Sequence, residues 1–106
     1  DGARISNAAA ALGVGLRELV TDTGIDVLSY GATKNGGLGA EAVVVLNPDL
    51  LAVMPYVRKQ AMQLASKMRF VSAQLVALLT DDLWRRNAEH ANAMAARLAA
   101  TRSCGP

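Results

Sequence analysis

Cysteine is almost absent from this sequence. The 106 residues contain a single cysteine, Cys104, close to the end of the chain. One thiol supports neither a disulfide framework nor a cysteine-based zinc cluster, so domains stabilised by disulfides or by a structural zinc ion are excluded. A reducing, cytoplasmic setting is the default expectation.

Aromatic residues are also scarce, and the charge is nearly balanced. The chain has one Trp, one Phe and two Tyr, and its net charge is only +2. The densest basic pairs, at residues 58–59 and 85–86, have no aromatic residues interleaved with them. Nucleic-acid binding through a stacking platform or a basic patch is therefore not expected, and these charges fit solvated helix faces.

Long apolar runs are missing as well. No stretch approaches the roughly 18 residues of a membrane span, and the start shows no signal-peptide pattern. The length allows one small domain, but only two segments are convincing strands, and a two-stranded pair is marginal without further cover. We therefore expect residues 1–106 to be a fragment of a larger domain.

The first half of the chain predicts two short helices and two strands. Residues 5–12 are alanine-rich and helix-prone and run into Gly13, and residues 16–21 form a second apolar-faced segment. Residues 25–30 read as a strand, and the continuous apolar run at 42–46 as a strand buried on both faces. Helices and strands in this order favour an α/β layer over a helical bundle.

The second half predicts helices only. Asn47 and Pro48 form a helix-start signal, and Pro55 predicts a kink or a helix beginning near Tyr56. An apolar stripe then continues from residue 62 to about residue 79, with a break near Ser66. Residues 80–82 are expected to cap a last helix. Its apolar face would carry Trp84, Ala88, Ala91, Ala95 and Leu98.

Lys34 is the most informative residue for chemistry. It stands between the two predicted strands in a glycine-flanked turn, Gly-Ala-Thr-Lys-Asn-Gly-Gly at residues 31–37. An ordinary exposed lysine has a pKa of about 10.4 and is a poor nucleophile near neutral pH. A rigid, partly desolvated turn is the setting in which such an amine can form a Schiff base, although a solvated turn residue gives the same pattern.

A second motif lies at residues 1–4, Asp-Gly-Ala-Arg, about thirty residues before the lysine turn. The pair resembles the low-specificity L-threonine aldolases, which are pyridoxal-phosphate enzymes of the aminotransferase-like fold (fold type I). The similarity continues through four more segments to about residue 100. These are 41–44 (Glu-Ala-Val-Val), 58–60 (Arg-Lys-Gln), 66–70 (Ser-Lys-Met-Arg-Phe) and 83–84 (Leu-Trp).

The resemblance implies a role for each motif residue. Lys34 would carry the pyridoxal 5'-phosphate, and Asp1 would keep the pyridine nitrogen protonated, because a nearby carboxylate favours the charged ring. Arg4 would approach the cofactor's ring oxygen and the substrate carboxylate, for which a planar guanidinium is suited. Thr33 would contact the cofactor phosphate, and Asn35 would orient the turn.

Further residues carry weaker expectations. Gly36 and Gly37 are interpreted as structural, for backbone freedom. Lys67 and Arg69 match a basic stretch that the resemblance places near a subunit interface, where either could reach a neighbouring subunit's cofactor phosphate, and ordinary surface pairing is the alternative. His90 is expected to be an exposed helix residue and not an acid-base catalyst.

By resemblance, the residues form the middle of the large domain of a much longer homodimeric or homotetrameric enzyme. That enzyme would cleave L-threonine, L-allo-threonine and related β-hydroxy-α-amino acids to glycine and an aldehyde. The fragment alone would be inactive. Two alternatives remain. One is another fold-type-I pyridoxal-phosphate enzyme, such as a β-eliminating lyase, and the other is a non-enzymatic interaction module that uses Met62, Met68 and Leu75.

Overall fold

The computed structural model describes residues 1–102 and has a mixed α/β arrangement, as predicted. The expectations for Cys104 lie outside the described residues. In chain order the elements are α1 (Ile5–Leu12), α2 (Leu16–Val20), β1 (Val27–Gly31), β2 (Glu41–Val45), α3 (Met54–Gln60), α4 (Arg69–Leu79) and α5 (Leu83–Arg102). Single 3₁₀ turns lie at Thr21–Thr23, Thr33–Asn35, Pro48–Leu50 and Thr80–Asp82. Within the described part of the chain, no helix is long and apolar enough for a bilayer.

The two strands form an antiparallel pair around the lysine turn. Val27 pairs with Val45 at the open end, and Gly31 pairs with Glu41 next to the turn. On the other edge of β1, Gly2 forms a parallel bridge with Tyr30. Strand β1 therefore has a parallel neighbour on one side and an antiparallel neighbour on the other.

The predicted strand limits and the burial of β2 need correction. The strands span Val27–Gly31 and Glu41–Val45, whereas the apolar runs indicate 25–30 and 42–46. Strand β2 is not buried on both faces, since Val43 is 61% and Val44 is 38% exposed. Among residues 1–102, β2 pairs only with β1, so its other edge has no strand beside it.

The core lies where the sheet meets α2 and α4. Its buried apolar residues are Val20, Leu28, Tyr30, Ala32, Ala40 and Leu78. Leu75 and Leu83 are partly buried and pack against this cluster. Because Ala32 and Ala40 flank the lysine turn, the turn is anchored in the core at both of its ends.

The helical predictions succeed at the start of the chain and partly fail beyond the sheet. Helix α1 ends at Gly13, which adopts the left-handed conformation with φ 69°, as expected for a glycine stop. After β2, Asn47 caps a 3₁₀ turn by accepting a hydrogen bond from the Asp49 backbone. Helix α3 then begins at Met54, with Pro55 tolerated in its first turn.

The predicted helix over residues 62–79 begins only at Arg69, after the break that was predicted near Ser66. Met62 and Lys67 both have positive φ, which no helix accommodates, and Met62 is 87% exposed. The spacing of apolar residues therefore predicted a helix that begins too early in the chain. Met62 is not a core residue within the described structure.

The predictions for the N-terminal cap and for the apolar face of α5 also need correction. The Thr80 hydroxyl donates to the Val76 carbonyl at 2.7 Å, which ties it to the end of α4, and Asp81 has positive φ. On α5, Trp84 and Ala88 are buried, as the spacing predicted. The later members of the stripe, Ala91, Ala95 and Leu98, are exposed, because the described core does not extend along α5.

Candidate functional site

The turn that carries Lys34 is closed by backbone hydrogen bonds. The Ala32 carbonyl accepts from the backbone N–H of Asn35 at 2.9 Å and from that of Gly37 at 3.0 Å. Gly36 has φ 102°, a conformation that favours glycine. The backbone at Lys34 is thus held, but its side chain is exposed, so the partial desolvation predicted for it is not found within the described residues.

Asn35 connects this turn to α5. Its side chain is only 4% exposed, and its Nδ2 donates to the Trp84 carbonyl at 2.8 Å. The backbone carbonyl of Asn35 accepts from Nδ2 of Asn87 at 2.8 Å. The structure gives Asn35 the orienting contacts that were predicted for it.

The N-terminal motif lies directly beside β1. The backbone N–H of Gly2 donates to the Ser29 carbonyl at 2.7 Å, and the Gly31 N–H donates to the Gly2 carbonyl at 3.4 Å. Oδ1 of Asp1 accepts from the Ala3 N–H at 2.8 Å, which forms a small turn. The same strand thus leads to Lys34 and supports the Asp1 segment.

Gly2 permits this close approach because it has no side chain. A Cβ at this position would lie 2.6 Å from the Ser29 carbonyl oxygen and 2.7 Å from Cδ1 of Leu28. We predict that Gly2→Ala lowers the free energy of unfolding by about 2–3 kcal/mol, because backbone and core must both shift. Urea unfolding of the wild type and the variant measures this difference.

Gly13→Ala is the matched control for Gly2→Ala. No atom lies within 4 Å of the place that a methyl group would take at Gly13, so this substitution adds only the strain of positive φ, about 1 kcal/mol. A Gly2→Ala variant as stable as Gly13→Ala would contradict the close-approach argument.

Three of the predicted residues line one open cleft. Asp1, Arg4 and Lys34 surround a space of about 540 Å³, together with the apolar side chains of Ala3, Ile5, Ala8 and Leu19. Within residues 1–102, none of the three charged residues takes part in an ion pair. A carboxylate, a guanidinium and an amine are therefore available to one ligand. The cleft combines these charges with an apolar wall.

Other predicted residues lie away from the cleft. The Thr33 hydroxyl donates to Oε1 of Glu41 at 2.6 Å, and Thr33 does not line the cleft. Lys67 and Arg69 are exposed, and the Arg69 guanidinium lies over the Phe70 ring at 4.8 Å. His90 is exposed on α5, as predicted.

A separate apolar groove of about 310 Å³ lies between the sheet, α2 and α4. Its walls include Leu16, Leu28, Tyr30 and Leu75, and none of the predicted site residues. Asp1, Arg4 and Lys34 therefore share the other cleft and not this groove.

Sequence reasoning missed three residues that support the site. Gly2 allows the approach of the Asp1 segment, Glu41 binds the Thr33 hydroxyl, and Asn87 binds the turn. Glu41 is the first residue of β2 and directly precedes the apolar run at 42–46, which is a local signal for its position. Asn87 lies 52 residues from Asn35, and no local pattern indicates that pairing.

Comparison with known proteins decides the family. A family model described as "Beta-eliminating lyase" matches residues 1–104, which is nearly the whole chain. The chain belongs to the β-eliminating lyase family. The match covers both motifs of the cleft, the Asp-Gly-Ala-Arg segment and the lysine turn.

Two curated proteins support the resemblance noted from the sequence. A protein named "Low specificity L-threonine aldolase" from Pseudomonas aeruginosa is 52% identical over 99 residues, which are 93% of this chain and 29% of that protein. A protein of the same name from a Pseudomonas sp. strain is 54% identical over 92 residues, covering 87% of this chain and 27% of that protein. The chain spans under a third of the length of these curated relatives.

Proposed function

We propose that residues 1–106 are part of the large domain of a fold-type-I pyridoxal-phosphate enzyme with the aminotransferase-like fold. Family membership, the short coverage of the relatives and the lysine turn between two strands support this assignment. The parallel bridge from Gly2 to Tyr30 also supports it, because an inner strand of a larger, mainly parallel sheet would have a parallel partner at that edge of β1.

The residues of the cleft fit pyridoxal phosphate. The cleft offers the amine of Lys34 for the cofactor's aldehyde, the carboxylate of Asp1 for its pyridine nitrogen and an apolar wall for its ring. When bound, the cofactor supplies an electron sink for bond cleavage at the substrate Cα. Lys34 attaches the cofactor, and Asp1 holds the proton on the ring nitrogen, because the carboxylate favours the charged form.

Arg4 binds and orients the amino-acid substrate. Its guanidinium is exposed on the cleft and can form two parallel hydrogen bonds with a carboxylate while staying charged throughout. Ile5 and Leu19, which are half-buried, form the apolar part of the wall. Thr33 remains a predicted phosphate ligand, and in that role its hydroxyl would exchange the Glu41 carboxylate for the phosphate.

The proposed reaction is the cleavage of L-threonine, L-allo-threonine and related β-hydroxy-α-amino acids to glycine and an aldehyde. One observation carries it: Asp1, Arg4 and Lys34 share one cleft in a chain that is 52% identical to a protein named threonine aldolase. The complete protein is proposed to be a cytoplasmic homodimer or homotetramer, with Lys67 and Arg69 near a subunit interface.

Reductive labelling tests the cofactor site. The complete protein is incubated with pyridoxal phosphate, reduced with borohydride and digested, and the modified peptide is identified by mass spectrometry. We expect the label on Lys34. A Lys59→Ala variant, altered at an exposed lysine of α3, should label as the wild type does. A label on any other lysine would show that Lys34 does not attach the cofactor.

Product analysis on the same preparation separates the aldolase from its alternative. Cleavage of L-threonine or L-allo-threonine by the aldolase releases glycine and acetaldehyde in equal amounts. A β-eliminating lyase acting on the same substrates would release ammonia and a 2-oxo acid instead. Glycine formation is the expected result, and 2-oxo acid without glycine would replace the proposed reaction by elimination.

A further inference from the structure

One side chain of α5 forms a hydrogen bond with the lysine turn, which lies far from α5 in the sequence. Nδ2 of Asn87 donates to the Asn35 backbone carbonyl at 2.8 Å, and Nδ2 of Asn35 donates to the Trp84 carbonyl at 2.8 Å. Trp84 and Asn87 are three residues apart, so they lie on one face of the helix. Residue 35 is therefore clamped by two hydrogen bonds to a single turn of α5.

The two hydrogen bonds are buried or part-buried, so water competes less for their donors and acceptors than it would at the surface. Asn35 is 4% and Trp84 is 5% exposed, and Ala88, next to Asn87, is also buried. A Cβ at Gly36 would lie 3.1 Å from Nδ2 of Asn87, so a side chain at residue 36 would crowd the Asn87 amide. Asn87 is half-buried, and removing its donor would leave the backbone carbonyl of the buried Asn35 without its partner, which is more unfavourable than losing an exposed bond.

The same helix also holds the other side of the cleft. Asn92 donates to the Asn7 carbonyl at 3.0 Å, and Asn7 donates to Oδ1 of Asn92 at 3.1 Å. Asn7 lies in the first turn of α1, which begins directly after Arg4. Helix α5 thus bonds the lysine turn through Asn87 and the helix that follows the Asp1–Arg4 motif through Asn92.

We infer that Asn87 is a positioning residue for Lys34. By fixing the backbone of Asn35, it fixes the direction in which the Lys34 side chain leaves the turn and enters the cleft. A preorganised amine loses less conformational freedom when it attaches a ligand, so Asn87 should strengthen cofactor attachment without touching the cofactor. The role of the amine rests on the proposed function, whereas the contact that positions it is a property of the fold.

The test is Asn87→Leu in the complete protein, with two readouts. The first is amide hydrogen exchange at Asn35 and Gly37, whose N–H groups close the turn, in the absence of added pyridoxal phosphate. We expect their protection to fall about tenfold, as for the loss of one net hydrogen bond. The second is the dissociation constant for pyridoxal phosphate, followed by absorbance, which should rise by about the same factor.

Two control variants on α5 separate positioning from general loss of stability. Asn92→Leu removes the matched pair of amide bonds to α1, and exchange at Asn35 and Gly37 should stay at the wild-type level. His90→Gln changes an exposed residue and should alter neither readout. If Asn92→Leu loosens the turn as much as Asn87→Leu does, the effect is global and the inference fails.

The other possible results of this experiment also support or overturn the role of Asn87. Unchanged exchange in a folded Asn87→Leu variant would overturn the inference even if the cofactor binds normally to the wild type. If Asn87→Leu does not fold, Asn87→Asp keeps the side-chain shape, removes the donor and should loosen the turn in the same way. If the wild type does not attach pyridoxal phosphate at Lys34, the proposed function fails, and the exchange measurement still tests the positioning contact.

Discussion

Lys34→Ala in the complete protein is expected to lower kcat/KM for L-threonine by at least about 10³-fold. Lys34 supplies the only lysine amine on the described cleft, since Lys59 and Lys67 do not line it. Without that amine the cofactor is held by charge and shape alone and is not aligned with the substrate. Steady-state glycine formation, measured at saturating pyridoxal phosphate, gives the loss.

Stability and rescue measurements test whether Lys34→Ala loses activity because the amine is missing and not because the fold is weakened. Lys34 is exposed and forms no ion pair within residues 1–102, so its truncation should change the free energy of unfolding by less than about 0.5 kcal/mol. A small primary amine added to Lys34→Ala should restore part of the activity, because the open cleft admits it. Lys59→Ala should be as active as the wild type. Full activity of Lys34→Ala would refute the assignment.

The local part of the fold could be predicted from the sequence because local chemistry determines it. Helix α1 ends where Gly13 supplies a left-handed residue, and the 3₁₀ turn after β2 starts where Asn47 supplies a cap. The two strands around the lysine turn follow from their apolar runs. Each of these features depends on residues that are close together in the chain.

Features that depend on distant contacts could not be predicted in this way. The apolar run of β2 indicated burial on both faces, but burial depends on what packs against the strand, and Val43 and Val44 are exposed in the described chain. The sequence over residues 62–79 predicted the break near Ser66, where Lys67 has positive φ, but not the positive φ at Met62. The spacing of apolar residues indicates which of them would share one face of a helix. It does not indicate whether the helix forms.

The candidate site was predicted by resemblance and not by pattern. Composition and spacing alone left Lys34 a turn lysine, and it was the resemblance that linked it to Asp1 and Arg4. The structure brings these three residues to one cleft through the parallel bridge of Gly2 with Tyr30, a contact between segments 28 residues apart. It also ties the Thr33 hydroxyl to Glu41, which the resemblance did not indicate.

Asn35→Asp is expected to have the largest effect on stability, lowering the free energy of unfolding by about 4 kcal/mol at pH 8. The side chain is buried, and its Nδ2 faces the Trp84 carbonyl, so a carboxylate there would set an oxygen against an oxygen. Oδ1 of Asn35 is already buried without a hydrogen-bond partner among the described residues. The substitution would therefore bury two oxygens and a charge with no donor beside them.

The loss should depend on pH in a defined direction. Burial raises the pKa of the introduced carboxyl above its unfolded value of about 3.9, so the folded state binds the proton more tightly than the unfolded state does. Stability relative to the wild type must then fall as the pH rises from about 4 and level off above the raised pKa. Below that range the neutral acid can donate to the Trp84 carbonyl, as the asparagine does.

Asn35→Leu separates the charge from the missing hydrogen bond. It removes the same donor without introducing a titratable group, so its destabilisation, measured by urea unfolding from pH 4.5 to 8, should be independent of pH relative to the wild type. An equal, pH-independent loss in both variants would mean that the introduced carboxyl reaches solvent. In that case the turn opens at Asn35, and the hydrogen bonds to Trp84 and Asn87 do not hold Lys34 in place.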